Sequence, residues 1–163
     1  MNFFLLLAFA LQGLAMFFDE FYYHRKRGLG RWERIGHPAD TLFVLACYLF
    51  VVFAVPSASN ISIFIGLCSF SCLFITKDEF EHKKYCCAQE NWLHAILFIL
   101  HPISFFSLGV IWLLKHHFSF ELNQTFADSP LLYSSIYIQI TVVSAFIIYQ
   151  IIYWSFIWKP KKS

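Results

Sequence analysis

The sequence predicts an all-α integral membrane protein with five transmembrane helices, in which two repeated helical hairpins form a four-helix bundle and a fifth helix follows. The first observation behind this prediction is composition. Of the 163 residues, 59% are hydrophobic and 13% are charged, whereas about 25% are charged in an average soluble domain. The second is that the apolar residues form five long runs separated by polar segments. A soluble domain of this size keeps much of its surface in water and could not bury so many apolar side chains.

The first hairpin is predicted over about residues 2–55. Its first helix follows the apolar run 2–18, which ends at an acidic residue. The turn is expected at the Gly-Leu-Gly sequence of residues 28–30, because glycine ends helices and accepts positive φ angles. The second apolar run, 41–55, is shorter than the roughly 20 residues that cross a bilayer, so its helix is expected to begin earlier, near Arg31.

The second hairpin is predicted over about residues 61–114. Its two apolar runs, 61–76 and 92–114, are separated by a polar segment, as in the first hairpin. A fifth helix is expected at about 131–158, outside the repeat. The whole chain, 1–163, is therefore interpreted as a single transmembrane domain.

The positions of the basic residues predict an orientation. Eleven of the 12 Lys and Arg residues lie in the segments 19–40 and 77–91 and in the C-terminal tail, all on one predicted side. Such residues are enriched on the cytoplasmic side, so the N-terminus is expected outside and the C-terminus in the cytoplasm, in a bacterial inner (cytoplasmic) membrane. The basic run 25–27 is expected to face anionic lipid, and Trp154 and Trp158 to lie in an interfacial aromatic belt.

A short acidic tripeptide occurs once in each hairpin. Asp19-Glu20-Phe21 is followed by His24, and Asp78-Glu79-Phe80 is followed by His82. After each turn comes a Glu and a His four residues apart, as in Glu33 with His37 and Glu90 with His94. Residues three or four apart share one face of a helix, so each helix end could present a carboxylate and an imidazole together.

These four pairs predict a metal site at the cytoplasmic mouth of the bundle. The predicted ligands are Glu20, His24, Glu33, His37, Glu79, His82, Glu90 and His94. Carboxylates combined with imidazoles suit divalent iron, zinc or manganese. Di-iron carboxylate bundles use a Glu-x-x-His step, which only Glu79 and His82 reproduce in this set, so the likeness is architectural.

Four further groups are interpreted as supporting the ligands or forming a pathway. Asp19, Asp40 and Asp78 are expected to hydrogen-bond to ligands or to face solvent, and Asp78 is an alternative to Glu79. His101 lies seven residues after His94 and therefore two turns deeper on the same face. An ionisable group at that depth indicates a functional pathway, and the alternative is a neutral histidine that hydrogen-bonds to a neighbouring helix.

The predicted function is that of a metal-dependent oxidoreductase or hydrolase that acts on a lipid-like substrate, such as a fatty acyl chain, a quinone or an isoprenoid. One alternative is a non-enzymatic membrane subunit or scaffold, whose charged tips bind a protein partner or a second copy. In that case the acids are ordinary ion-pair partners, as Glu33 is between Arg31 and Arg34. The second alternative is an ion or proton pathway. The lipid bilayer is the expected environment, and no nucleic acid partner is expected.

Overall fold

The computed structural model describes residues 2–116 and 130–159, and over these residues the chain is helical and contains no β-strand. Within the same ranges, five helices are long and apolar enough to cross a membrane. This confirms the predicted all-helical fold and its five candidate spans, as judged by length and composition.

The helices are numbered here in chain order, and some continue beyond a regular α-helix into a wider or tighter turn. They are α1 (Asn2–Phe18, continued by Asp19–His24 and Arg25–Arg27), α2 (Arg31–Phe53), α3 (Ala58–Phe74, continued by Ile75–Asp78 and Glu79–Tyr85), α4 (Ala88–Lys115) and α5 (Pro130–Ile152, continued by Tyr153–Ile157). The continuation Asp19–His24 is π-helical, as is Tyr153–Ile157, whereas Ile75–Asp78 is a 3₁₀ turn.

Short turns join the first four helices. Gly28 ends α1 with a φ of 81°, a conformation that glycine adopts without steric penalty, so the turn falls where the sequence predicts it. The turn between α3 and α4 lies at Cys86 and Cys87. These two turns and the end of α5 lie at the same end of the molecule, which we call the site end. At the opposite, far end, the Ser57 side chain caps α3 by accepting a hydrogen bond from the Asn60 N–H.

The packing of the helices differs from that of two self-contained hairpins. Helix α1 packs mainly against α4, and α2 packs mainly against α5 and α3, although α1 and α2 are consecutive. Helix α5 also contacts α1 and α4. The fifth helix, predicted to lie outside the repeat, is therefore an integral part of the packing.

A tight apolar core occupies the far end. Its buried members include Phe9 from α1, Val51 from α2, Leu108 and Trp112 from α4 and Leu132 from α5. The Trp112 indole N–H donates to the Ala54 carbonyl, which fixes the end of α2 against α4. The core therefore holds the helices together at the end away from the predicted metal ligands.

Candidate metal centre

The predicted ligands come together at the site end, but they are not equally deep. The buried ones are Glu20, His24, Glu33, His82, Glu90 and His94. His37 is half-buried, and the Glu79 side chain is 50% exposed, so Glu79 lies at the rim. The four imidazoles and three of the four glutamates of the predicted set thus share one interior region. Metal binding by them stays a prediction.

The first acidic tripeptide enters this interior because α1 widens there. Asp19, Glu20 and His24 are all buried, and they lie within the π-helical segment Asp19–His24. Backbone hydrogen bonds in a π-helix join residues five apart, which brings Asp19 and His24 onto one face. Asp19, predicted as a supporting group, therefore lies among the histidines. Single π-helical turns within α-helices are frequent at functional sites.

Three of the four predicted histidine ligands have a carboxylate against one ring nitrogen. His24 Nδ1 lies 3.3 Å from Glu20 Oε2, and His82 Nδ1 lies 3.3 Å from Glu79 Oε1. His94 Nε2 lies 3.0 Å from Asp19 Oδ1. A histidine that binds a metal usually donates its other ring N–H to such a group, which fixes the tautomer and the ring orientation.

Each of the four imidazoles also has a buried ring nitrogen that, within the described residues, has no hydrogen-bond partner. These atoms are His24 Nε2, His37 Nε2, His82 Nε2 and His94 Nδ1. Two of them nevertheless face a carboxylate without hydrogen-bond geometry, since His24 Nε2 lies 3.2 Å from Asp19 Oδ2 and His82 Nε2 lies 3.6 Å from Glu33 Oε1. The rings are close, with centroids 4.1 Å apart for His82 and His94 and 4.7 Å apart for His24 and His37. A buried polar atom without a partner costs about 1–3 kcal/mol, so the nitrogens of His37 and His94 in particular favour a further partner in this volume.

The donor atoms fall into overlapping sets in which every atom lies within 4.8 Å of the others. Across residues 2–116 and 130–159 these sets are Asp19, His24, Glu90 and His94; Glu33, His37 and His82; and His82, Cys86 and His94. Two donors on opposite sides of an ion, each about 2.2 Å from it, are about 4.4 Å apart. Small side-chain movements would therefore complete either of the first two sets, which share no residue.

Arg27 lies inside the site, whereas the sequence predicted that it faces lipid. Its two terminal nitrogens donate to the two Glu33 carboxylate oxygens at 3.0 and 2.8 Å, and its Nε donates to Glu90 Oε1 at 3.1 Å. Such bidentate pairing is strong and geometrically specific. Arg27 thus supplies part of the positive charge that the carboxylates require, as the ion-pair alternative anticipates for Glu33.

Arg27 does not balance the site alone. Its guanidinium pairs with two of the four buried carboxylates, those of Glu33 and Glu90, whereas Asp19 and Glu20 lie against His24 instead. Buried charges require partners, and the imidazoles supply positive charge only when they are protonated. A divalent cation would supply the remaining charge where the imidazoles are neutral, and it would also be a partner for their ring nitrogens.

Cys86 also belongs to the site, and the sequence reasoning assigned it no such role. Burial raises the pKa of the Cys86 thiol, the Arg27 guanidinium opposes this rise, and the hydrogen bond to Glu90 raises the pKa further. The thiol is therefore held in its neutral form and would bind a metal only after losing its proton. The sequence does contain one indication of this role, which is that Cys86 precedes the predicted ligand Glu90 by only four residues.

Helix α5 closes the site end with two tryptophans that were predicted to lie in an interfacial belt. Trp154 is fully buried instead, and its indole N–H donates to Glu20 Oε1. The Trp158 ring packs so closely on Gly28 that an added Cβ would lie 2.5 Å from it. The spacing pattern of acids and histidines contains no information about these apolar contacts, so sequence reasoning missed them.

The remaining predicted groups lie around the cluster. Asp40 pairs with the Lys77 ammonium, and the side chain of Asp78 is not among those that the structure describes. His101 is buried beneath the cluster, with Nε2 3.1 Å from Ser71 Oγ and Nδ1 3.4 Å from Gln12 Nε2. Contact with a serine of a neighbouring helix matches the alternative in which His101 is a neutral, hydrogen-bonded histidine.

The cluster lines one wall of a cavity that continues towards the middle of the helices. Its lining includes Asp19, His24, His37, His82 and His94 at the site end. Below them it also contains apolar side chains, with Met16, Val44, Leu97, Phe98 and Phe146 among its lining residues. The arrangement thus places the polar donor atoms beside a space with a mixed lining, in which these apolar side chains alternate with polar ones such as Gln12, Thr41 and Gln150.

No family model, curated protein or solved structure matches this chain.

Proposed function

We propose that the protein is a membrane metalloprotein that binds one or two divalent metal ions, iron, zinc or manganese, in the Glu/His cluster at its site end. The observation that carries this proposal is the convergence of four imidazoles and several carboxylates on one cavity, with sets of donor atoms that lie within 4.8 Å of one another. The carboxylates behind three of these imidazoles support it, because they would orient the rings for ligation.

We further propose that the bound metal serves an oxidoreductase or a hydrolase that acts on a lipid-like substrate. A metal ion can activate a bound water for hydrolysis or, if it is redox-active, support oxidation. The support for a lipid-like substrate is the apolar lining that begins directly below the cluster, with Met16, Leu97 and Phe98. The imidazoles and carboxylates of the cluster would hold the metal, and the carboxylates would also orient the histidines. Trp154 would exclude water at the site end.

The proposed setting is a bacterial inner membrane with the site end in the cytoplasm and the N-terminus outside. The clustering of basic residues at the site end supports it: Arg25, Lys26, Arg31, Lys83 and Lys84 all lie there. We also propose that the first four helices are a duplicated hairpin. The support is that both hairpin tips carry a buried histidine, His24 and His82, beside an acidic tripeptide.

A competing function is that of a scaffold whose charged tips bind a partner, without metal. The exposed side chains of Glu79, Lys83 and Lys84 and the Arg27 ion pairs favour it. A proton pathway has weaker support, since His101 contacts Ser71 and Gln12 but the core beyond it is apolar.

Elemental analysis of the detergent-purified, full-length protein tests the proposal. We expect roughly stoichiometric iron, zinc or manganese, and a lower melting temperature after chelation, because a metal bound only to the folded state stabilises it by mass action. His37→Ala, His94→Ala, Glu33→Gln and Glu90→Gln should each retain less metal. His116→Ala at the far end is the control and should retain the wild-type amount. His117, an equivalent control by sequence, lies outside the described residues.

Wild-type protein without metal above background, with a melting temperature that chelator leaves unchanged, would contradict the proposal. The charged tips would then be explained as a partner-binding surface.

A further inference from the structure

We propose that a channel between α1 and α5 holds the hydrocarbon chain of a single-tailed amphiphile, with the polar end of the amphiphile beside the histidine cluster. The proposal rests on the proposed function for the polar end, and on the shape and lining of the channel for the chain. The channel is a second cavity bounded by Phe9, Gly13 and Phe17 of α1, by Tyr48 of α2, and by Val143 of α5.

The channel and the site cavity adjoin each other. Six residues line both: Gln12, Met16, Thr41, Val44, His101 and Phe146. A chain lying in the channel would therefore reach the cluster without crossing a packed layer of helices. The inner end of the channel is formed by core residues, among them Phe9, Tyr48 and Phe105, so the chain would lie against the core.

The length of the channel fits one leaflet of a bilayer. Along α1 its lining extends from Phe9 to Phe21, which corresponds to about 18 Å at the rise of an α-helix. The hydrocarbon core of a bilayer is about 30 Å thick, so one leaflet accounts for about 15 Å. Phe21 directly follows Glu20 of the cluster, whereas Phe9 belongs to the core. A chain whose polar end lies at the depth of the cluster would extend to the middle of the membrane.

The channel opens sideways rather than towards the cytoplasm. Phe17 of α1 and Val142 of α5 line it, and each is 55% exposed on the outer surface of the helices. Between them, a Cβ added at Gly13 would meet no atom within 4 Å. The site end is closed by contrast, since Trp154 is fully buried and Trp158 packs on Gly28. The amphiphile would therefore enter from the bilayer, between α1 and α5.

A second apolar groove provides an internal reference. It lies between α3 and α4, is lined by residues such as Ile65, Leu73 and Phe106, and includes none of the predicted metal ligands among its lining residues. Ordinary bilayer lipid should occupy both places alike. A specific amphiphile should prefer the channel that leads to the cluster.

The test is photocrosslinking of the full-length protein in lipid nanodiscs, with palmitic acid that carries a diazirine in its chain as the probe. Labelled peptides are identified by mass spectrometry. We expect labelling of α1 and α5 in excess of the α3–α4 groove, and its loss in Gly13→Phe, whose side chain would fill the channel. Gly66→Phe is the matched control, because Gly66 is likewise open and does not line either cavity. Val143→Trp narrows the channel from the opposite wall, in case Gly13→Phe does not fold.

Excess unlabelled palmitate and a polyprenol are added in parallel, and the one that displaces the probe identifies a straight or a branched chain as the preferred ligand. Equal labelling of the channel and the α3–α4 groove, or labelling unchanged in both channel variants, would mean annular lipid only and would overturn the proposal. Metal content is measured on the same samples. Wild-type protein with metal but no channel labelling refutes the channel alone, whereas channel labelling without metal refutes the proposed function alone.

Discussion

The two acidic tripeptides are identical in sequence, but their glutamates differ in burial. Asp19 and Glu20 are 7% and 2% exposed, whereas the Glu79 side chain is 50% exposed. The backbone accounts for the difference. The first tripeptide begins a π-helical segment, which is wider than an α-helix, and the second spans the junction between a 3₁₀ turn, which is tighter, and the helix Glu79–Tyr85. The wider π-helical turn thus occurs with the buried acids Asp19 and Glu20, and the tighter 3₁₀ turn directly precedes the exposed Glu79.

The histidines do not follow this difference, because His24 and His82 are both buried. Each hairpin thus contributes two imidazoles to the site, but the first contributes the buried acids Asp19, Glu20 and Glu33, whereas the second contributes only Glu90 and leaves Glu79 at the rim. A repeated sequence has produced two unequal halves of one site.

Removal of one basic side chain from each hairpin tip should reduce the stability of the protein by very different amounts. Arg27→Ala leaves Glu33 and Glu90 buried without their guanidinium, which typically destabilises a protein by about 3–5 kcal/mol. Lys84→Ala removes an exposed ammonium from the second tip and should change stability by less than about 0.5 kcal/mol. Chelator-treated protein is measured by thermal unfolding in detergent. Equal effects would mean that Arg27 faces solvent.

The first turn should depend on glycine at one position. Gly28→Ala places a Cβ at a φ of 81° and against Trp158, and residues forced into such conformations cost about 1–3 kcal/mol. Gly30→Ala should cost less, because Gly30 has an ordinary φ of −62° and its Cβ would approach only the Glu33 carboxylate, at 3.2 Å. The melting temperatures of the two variants check this. A larger loss for Gly30→Ala would contradict the described turn.

Asp19 contacts His94 and Glu79 contacts His82, and substitution of these two acids should reduce metal affinity by different factors. Asp19→Asn weakens the group that orients His94, and changes of this kind reduce metal affinity about 10- to 100-fold. Glu79→Gln changes a group at the rim and should reduce affinity by a smaller factor. Competitive titration with a fluorescent zinc chelator measures both. Equal losses would show that the second acid supports its histidine as strongly as the first.

The smallest effect concerns the two cysteines of the second tip. Cys87 is exposed, whereas burial and the Glu90 carboxylate raise the pKa of Cys86. A raised pKa leaves less thiolate at a given pH, so maleimide should modify Cys86 more slowly than Cys87 near pH 7, and the rate at Cys86 should still increase above pH 9. Mass spectrometry of single-cysteine variants gives the two rates. Faster modification of Cys86 would contradict its contact with Glu90.

Sequence reasoning located the helices and the end of the molecule where the polar groups meet, because apolar run length and acid–histidine spacing depend only on helix geometry. It could not give the burial of Glu20 and Glu79, since the same three residues occur once in a π-helical segment and once across the junction of a 3₁₀ turn and an α-helix. It also misplaced Arg27 and Trp154, because the partners of both side chains include residues distant in the chain. Such contacts depend on how the helices pack, and helical periodicity does not determine which helices become neighbours.

The separation of the apolar core from the polar cluster has a consequence for how an ion would enter and leave. Proteins open locally in cooperative units, and those with few buried apolar contacts open most readily. The core residues Val51, Leu108 and Trp112 lie at the far end, so the last turns of α1 and α3 and the end of α5 can separate while the far end stays closed. We expect backbone amides near His24 and His82 to exchange with deuterium faster than those near Leu108. The core at the far end would then keep the helices together while the site end opens locally. A bound ion could leave without global unfolding of the protein.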